Sequence, residues 1–323
     1  MAYIGVSVGH NSSPAVIEAA DFVEIKKITA EEAISIRSVT DKPVYFHLQY
    51  SRAGQYLLPT AVSFEHYTRD FIAAGKAALP EQVSLHFGLS APSISLDAAN
   101  YMAVALEPPL KRERILNTLE KNLHIIRESF PQSRVLLENI EFIPECLCGG
   151  AYRYLQEADF FSHQMLRWRE CGLVDGMVFD IAHALIAAGN HPFYNGLSEK
   201  APGRKTYNDP LETNEEYIEE LRQLPSDKLL DFYSSYIDRM PLQLILEIHL
   251  SGILRDDNGV YVDAHNEISA LELGALRLLL NHASQVRPQD IPVTLEFNRN
   301  ADRIIPQMVR LREFLSAPQG MGT

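Results

Sequence analysis

Eight short apolar runs recur along the chain, and what separates them constrains the fold more than any other feature. The runs are IGVSVG (4–9), DFVEIK (21–26), PVYFHL (43–48), QVSLHFG (82–88), RVLLENI (134–140), GMVFDIAH (176–183), LILEIHL (244–250) and PVTLEFN (292–298). Each is rich in Val, Ile, Leu or Phe, as strands covered on both faces are. Between them lie amphipathic stretches of helical period, among them 64–79, 111–130, 152–171 and 270–283, with a further one at 302–315 after the last run. Strands alternating with helices, with no Gly-rich phosphate fingerprint after the first strand, predict a closed (β/α)8 TIM barrel of the α/β class. An open doubly wound sheet is the competing architecture. We read 1–318 as a single domain and 319–323 as a flexible tail. Pro306 is expected to cap or kink the last helix near its start.

Two segments interrupt the alternation. Residues 190–240, with the polar loop 199–216, form a long excursion between the sixth and seventh strands that is a candidate docking element or lid. The segment RDDNG (255–259) lacks the Gly and Glu spacing of an EF-hand loop and reads as a simple turn.

Composition excludes several classes. Forty-two acidic against 29 basic residues give a net charge of −13, the wrong footprint for duplex nucleic acid. Three cysteines, Cys146, Cys148 and Cys171, form no disulfide framework, and nothing completes a four-ligand set around the first two. They are expected to be ordinary small side chains in a reducing compartment. The N-terminal segment has no signal-peptide pattern and no apolar run reaches the ~20 residues of a membrane span, so the expectation is a cytoplasmic protein.

The ionisable residues gather where the runs end. His47 ends the third run, His86 the fourth, Glu138 with Asn139 the fifth, Asp180 followed by His183 the sixth, Glu247 and His249 the seventh, and Glu296 the eighth. Asp263 and His265 follow the seventh, past the turn. In a barrel this is the face where active sites are assembled. Alternation puts Glu247, His249 and Ser251 on one strand face and Thr294, Glu296 and Asn298 on another, all able to point inward.

Any one of these residues alone reads as a hydrogen-bonded structural group. Together, five histidines and four carboxylates share one mouth, while Lys26, Lys27 and Arg299 are the only basic residues at the strand ends. Metal ions would supply the missing positive charge. Mixed imidazole and carboxylate donors suit iron, manganese, zinc or cobalt rather than calcium or magnesium. The candidate ligands are His47, His86, Glu138, Asp180, His183, His249, Asp263, His265 and Glu296. Nine exceed the needs of one catalytic ion, so two or three ions are expected.

The pieces LLENI, FDIAH, EIHLSG, VDAH and LEFNRNADRIIP, in this order, resemble the multinuclear non-heme iron-dependent oxidative enzymes, including the methanobactin-type oxazolone/thioamide-forming members. That family belongs to the xylose-isomerase-like barrel superfamily. The resemblance runs from DFVEIK through the final helix. It implies iron as the metal, dioxygen as oxidant and a Cys-containing ribosomally made peptide as substrate, presented by a small partner protein. It also implies that Asn139 and Glu247 orient ligands or substrate, and it places Asn298 beside them as a catalytic candidate. This chain departs from the family pattern at Ile253, where many members carry another His, and at Asn298, where they carry Asp. Its first strand lacks the usual Arg, with His10 a distant equivalent. A divalent-metal sugar isomerase or epimerase of the same superfamily is the competing function. An endonuclease-type phosphodiesterase fits the cluster but not the acidic surface. A barrel that binds metal without turnover is the non-enzymatic alternative.

Overall fold

The structure is a computed structural model and describes residues 3–8, 13–26, 29–48, 51–52, 55–56, 64–97, 102–197, 213–286, 290–297 and 300–317. Eight parallel strands close into a barrel: β1 (Ile4–Val8), β2 (Phe22–Lys26), β3 (Val44–Leu48), β4 (Gln82–His86), β5 (Arg134–Glu138), β6 (Gly176–Asp180), β7 (Ile245–Leu250) and β8 (Val293–Leu295). Each of the eight apolar runs contributes one strand. They pair in chain order, and β8 closes on β1 through Ile4–Val293, Gly5–Thr294 and Val6–Leu295. The closed barrel, not the open sheet, is the architecture.

Eleven α-helices are present among the described residues: α1 (Pro14–Ala19), α2 (Ala30–Ser38), α3 (Phe64–Ala78), α4 (Arg112–Ser129), α5 (Glu145–Cys148), α6 (Ala158–Glu170), α7 (Ile181–Asn190), α8 (Glu215–Gln223), α9 (Leu229–Ile237), α10 (Ala270–Val286) and α11 (Ala301–Ser316). Local chemistry sets several of their starts. Ser13 caps α1 with Pro14 at the first helical position, and Thr29 with Glu32 forms a capping box on α2. Asn300 caps α11, and Pro306 lies inside that helix rather than at its start. The expected cap therefore moves upstream: the Asn300 side chain accepts from the Asp302 amide, and the helix continues through the proline.

One parity of the strand residues, including Val23, Ile25, Val44, Phe46, Val83, Leu85, Val135 and Leu137, joins the main apolar cluster under the helices. The other parity points into the barrel. The Phe22 and Tyr45 rings, 4.5 Å apart, fill the N-terminal end. Gly5 makes room for them, because a Cβ there would meet the Phe22 ring. The opposite end of the barrel carries the polar side chains.

The 190–240 excursion contains the end of α7, then α8 and α9, while 198–212 lies outside the described residues. Most of the polar loop within this candidate docking element or lid falls there. Past β7 a hairpin of Gly252–Arg255 and Tyr261–Asn266 stands over the barrel mouth. Its turn is RDDNG: Asp256 Oδ1 accepts from the Asn258 and Val260 amides, and Gly259 has φ +79°. Cys146 and Cys171 are exposed, Cys148 is buried, and all three are free thiols. No helix among the described residues is long and apolar enough to cross a membrane.

Candidate metal centre

The strands deliver their ionisable side chains to one buried cluster. His47 comes from the end of β3, His86 from β4, Glu138 from β5, Asp180 from β6, and Glu247 and His249 from β7. Glu296 stands one residue beyond β8. Asp180 also caps α7, accepting from the His183 amide at 2.7 Å, so the strand-to-helix step brings His183 to the same cluster. The hairpin adds Asp263 and His265. His265 adopts φ +45°, a left-handed backbone uncommon for a non-glycine residue and frequent where function holds it.

Distances bind the set together. His249 Nδ1 lies 2.8 Å from Glu296 and 3.4 Å from Glu138, while its Nε2 lies 3.0 Å from Glu24 and 3.5 Å from Glu247. His47 and His86 approach Glu138 at 3.5 and 3.6 Å. His183 meets Glu138, Glu141 and Asp263 at 3.4, 3.5 and 3.7 Å. His265 bridges Asp263 at 3.0 Å and Glu296 at 3.1 Å. All nine sequence-derived ligand candidates thus meet in one connected cluster. The orienting candidates Asn139 and Glu247 lie beside it, and the catalytic candidate Asn298 falls outside the described residues.

Asn139 spends its side chain on the β6 backbone, donating to the Asp180 carbonyl and accepting from the Asp180 amide. Its own carbonyl accepts from His183 Nδ1 at 2.8 Å. Glu247 sits deeper, holding hydrogen bonds from Gln82 and Thr294.

Two residues that sequence reasoning did not single out belong to the cluster. Glu24, fully buried in the middle of β2, contacts His249, Ser7 and Lys26. Glu141, three residues beyond Glu138 in the following loop, contacts His183. The β2 run, DFVEIK, held the signal for the first: a glutamate between Val23 and Ile25 of a two-sided buried strand must face the barrel interior.

In three groups all donor atoms lie within 4.8 Å of one another: His47, His86 and Glu138; Glu24, Glu247 and His249; and Glu138, Asp180 and His249. Glu138 and His249 each belong to two groups, so the three form a chain. Among the described residues, Glu24 Oε1, His47 Nε2, Glu138 Oε2 and both ring nitrogens of His249 are buried without a hydrogen bond. Buried polar atoms are seldom left so. Imidazole nitrogens and carboxylate oxygens that converge without hydrogen bonds are the arrangement a metal ion satisfies once the rings give up their protons, and the donor set fits one.

The electrostatics separate the imidazoles into two kinds. Burial holds His47 well below the usual histidine range and brings His86 down to about 3 despite Glu138 beside it, so both are neutral donors. Burial alone would also lower His249 and His183. Glu24 and Glu138 around His249, and Asp180 and Glu141 around His183, overcome it and hold both rings well above that range. Burial would raise Glu138 and Glu24, yet the imidazoles, and for Glu24 also Lys26, hold both carboxyls low. Asp180 goes the other way: burial, only partly offset by His183, pushes it up to about 6.

No protein-family model matches the sequence, and no match is found among the curated proteins. Solved structures do match. A D-tagatose 3-epimerase-like protein superposes with TM-score 0.53 at 18% identity over 97% of both chains. Endonuclease IV from Thermus thermophilus gives TM-score 0.54 at 15% identity, over 97% of this chain and 98% of the other. A xylose isomerase-like TIM barrel protein from Mycobacterium smegmatis, solved in complex with magnesium, gives 0.51 at 11% identity, over 94% of this chain and 86% of the other. At such identities the likeness shows the fold alone, a closed TIM barrel.

Proposed function

We propose that this protein is a metal-dependent enzyme whose buried centre holds two or three ions. One observation carries the reading: Glu138 and His249 are each shared between groups of converging donors, as bridging or adjacent ligands of a multinuclear site are. In this reading His47, His86, Glu138, Asp180, His183, His249, Asp263, His265 and Glu296 are ligands, joined by Glu24. Glu247, fixed by Gln82 and Thr294, orients His249 from below. Asn139 holds Asp180 and His183 in place through the β6 backbone. The bound ions would supply Lewis acidity and, if iron, redox capacity.

The chemistry we favour is oxidative: modification of a Cys-containing ribosomally made peptide with dioxygen as oxidant, the peptide delivered by a small partner protein. Five imidazoles in one mouth suit iron, with manganese, cobalt or zinc as the other candidates. The ordered motifs from LLENI to LEFNRNADRIIP support the same reading. The solved barrels of similar shape lend their support to a second reading, a divalent-metal sugar isomerase or epimerase. They include an epimerase-like protein and a barrel in complex with magnesium.

Elemental analysis with visible and Mössbauer spectra on anaerobically purified protein tests both. The oxidative reading expects more than one iron per chain and a coloured protein. No iron, with a single tightly held zinc, would sink it. A colourless protein with one or two manganese, cobalt or magnesium ions and oxygen-independent turnover of a ketose establishes the second.

A further inference from the structure

The cluster contains a cation of its own. Lys26 is the last residue of β2, two positions from Glu24, and alternation turns both into the barrel. Its ammonium pairs with Glu296 and lies 3.2 Å from Glu24, with the side chain only 11% exposed. Glu296 is the carboxylate that links the interior to the hairpin, since its two oxygens also meet His249 Nδ1 and His265 Nε2.

The three groups of converging donors involve Glu24, His47, His86, Glu138, Asp180, Glu247 and His249, and none includes Glu296, Asp263 or His265. Those three form a chain of pairs, Asp263 to His265 to Glu296, that ends on the Lys26 ammonium. A carboxylate bridging two histidines would ordinarily be a good corner for a further ion. Here one of its oxygens already has a fixed positive charge, and a divalent ion at bonding distance from that oxygen would meet the ammonium at close range. Like charges this close in a low-dielectric interior repel strongly.

We propose that Lys26 is a built-in counter-cation that takes the place of one metal ion at the Glu296 corner and limits the centre to two ions, one at each of the two donor groups that share no residue. This rests on the multi-ion reading above and narrows it, taking Asp263, His265 and Glu296 out of the ligand set. Lys26 acts as a specificity-determining residue for metal number: it neutralises Glu296, keeps its carboxylate turned to His249 and His265, and leaves Asp263 and His265 to face whatever enters the mouth.

The test is metal stoichiometry in purified full-length protein, reconstituted anaerobically with ferrous iron and counted by elemental analysis. Wild type is expected to hold two ions per chain. Lys26→Met removes the charge, keeps the apolar stem, and is expected to hold three; Lys26→Arg keeps the charge and should remain at two. Wild type with three ions, or Lys26→Met still at two, overturns the proposal while the multi-ion reading stands. Wild type with one ion or none overturns both. Should Lys26→Met fail to fold, anomalous diffraction from wild-type crystals decides. Metal density between Glu296, Asp263 and His265 overturns the inference, and density confined to the three donor groups supports it.

Discussion

Glu24 Oε1 and His249 Nε2 stand 3.0 Å apart across the barrel, one from β2 and the other from β7, and neither atom is hydrogen-bonded among the described residues. Both residues are fully buried. A contact that spans the barrel interior without a hydrogen bond at either atom marks where an ion would sit, and Glu247, 3.5 Å from His249 Nε2, holds the ring from below. Glu24→Gln keeps the volume and removes the charge. We expect it to weaken metal binding by more than about tenfold, since even residues that only orient ligands are worth about 10–100-fold. Competition with a chromogenic chelator reads the change, and unaltered affinity would show that Glu24 is no ligand.

Proton release follows from the raised histidines. At about pH 7 in metal-free protein, His249 and His183 carry protons, held there by Glu24, Glu138, Asp180 and Glu141 against the opposing effect of burial. A ligating imidazole must be neutral, so ion binding expels these protons and affinity rises with pH. Calorimetry in two buffers of different ionisation enthalpy measures the number released; none would contradict the assignment of His249.

The same groups shape the stability of the metal-free chain. Raised histidine values contribute stability that is complete below about pH 6.5 and is lost as pH climbs through the folded values. Depressed carboxyls at Glu24, Glu138 and Asp263 contribute stability present above about pH 4.5 and lost as pH falls through their folded values. The metal-free Tm is expected to peak in the weakly acidic range between them and to decline toward alkaline pH. The loaded protein should not share that alkaline decline, because the ions replace the protons. Parallel melting curves across pH check this.

The barrel and most of its centre were legible in the sequence because both follow from period. Val/Ile/Leu/Phe runs spaced by helical stretches leave few folds, and a two-residue alternation at the strand ends places His47, His86, Glu138, Asp180, His249 and Glu296 on one side. Glu24 escaped notice because it lies mid-strand, away from the C-terminal ends where site residues are sought. Lys26 was visible as a basic residue, but its pairing with Glu296 depends on barrel closure, which brings β2 close to β8. The role of Asn139 was likewise hidden, since its side chain bonds to the backbone of a strand 41 residues away. Pro306 does not cap α11, because Asn300, six positions earlier, supplies the cap and the proline lies inside the helix.

Thr294 tests how far the centre depends on its floor. Its hydroxyl donates to Glu247 Oε1, and Gln82 Nε2 donates to the other oxygen. Thr294→Val keeps the shape and removes one donor to a buried carboxyl that burial already pushes up. The ligands themselves are untouched, so metal number should stay constant. Affinity should fall by about 10–100-fold, the usual effect of losing a ligand-orienting hydrogen bond. Loss of an entire ion in Thr294→Val would place Glu247 among the ligands instead.

Asn190, the last residue of α7, ties the hairpin to the barrel. Its Nδ2 donates to the Phe142 carbonyl at 2.9 Å and the Tyr261 carbonyl at 2.7 Å, and its Oδ1 accepts from the Tyr261 amide at 2.9 Å. Tyr261 begins the strand that carries Asp263 and His265, so these bonds set the position of both residues against the cluster. Asn190 is fully buried, and its removal leaves two carbonyls and an amide without partners in the interior. At about 1–3 kcal/mol for each buried group left unsatisfied, partly relieved by entering water, Asn190→Ala should cost about 3 kcal/mol. Chemical denaturation measures that loss. The informative comparison is with Asn190→Asp, which keeps the acceptor for the Tyr261 amide but cannot donate to either carbonyl. If hairpin placement governs the Asp263–His265 end of the centre, both variants weaken metal binding, whereas a purely structural role for Asn190 would lower stability and leave metal affinity as in wild type.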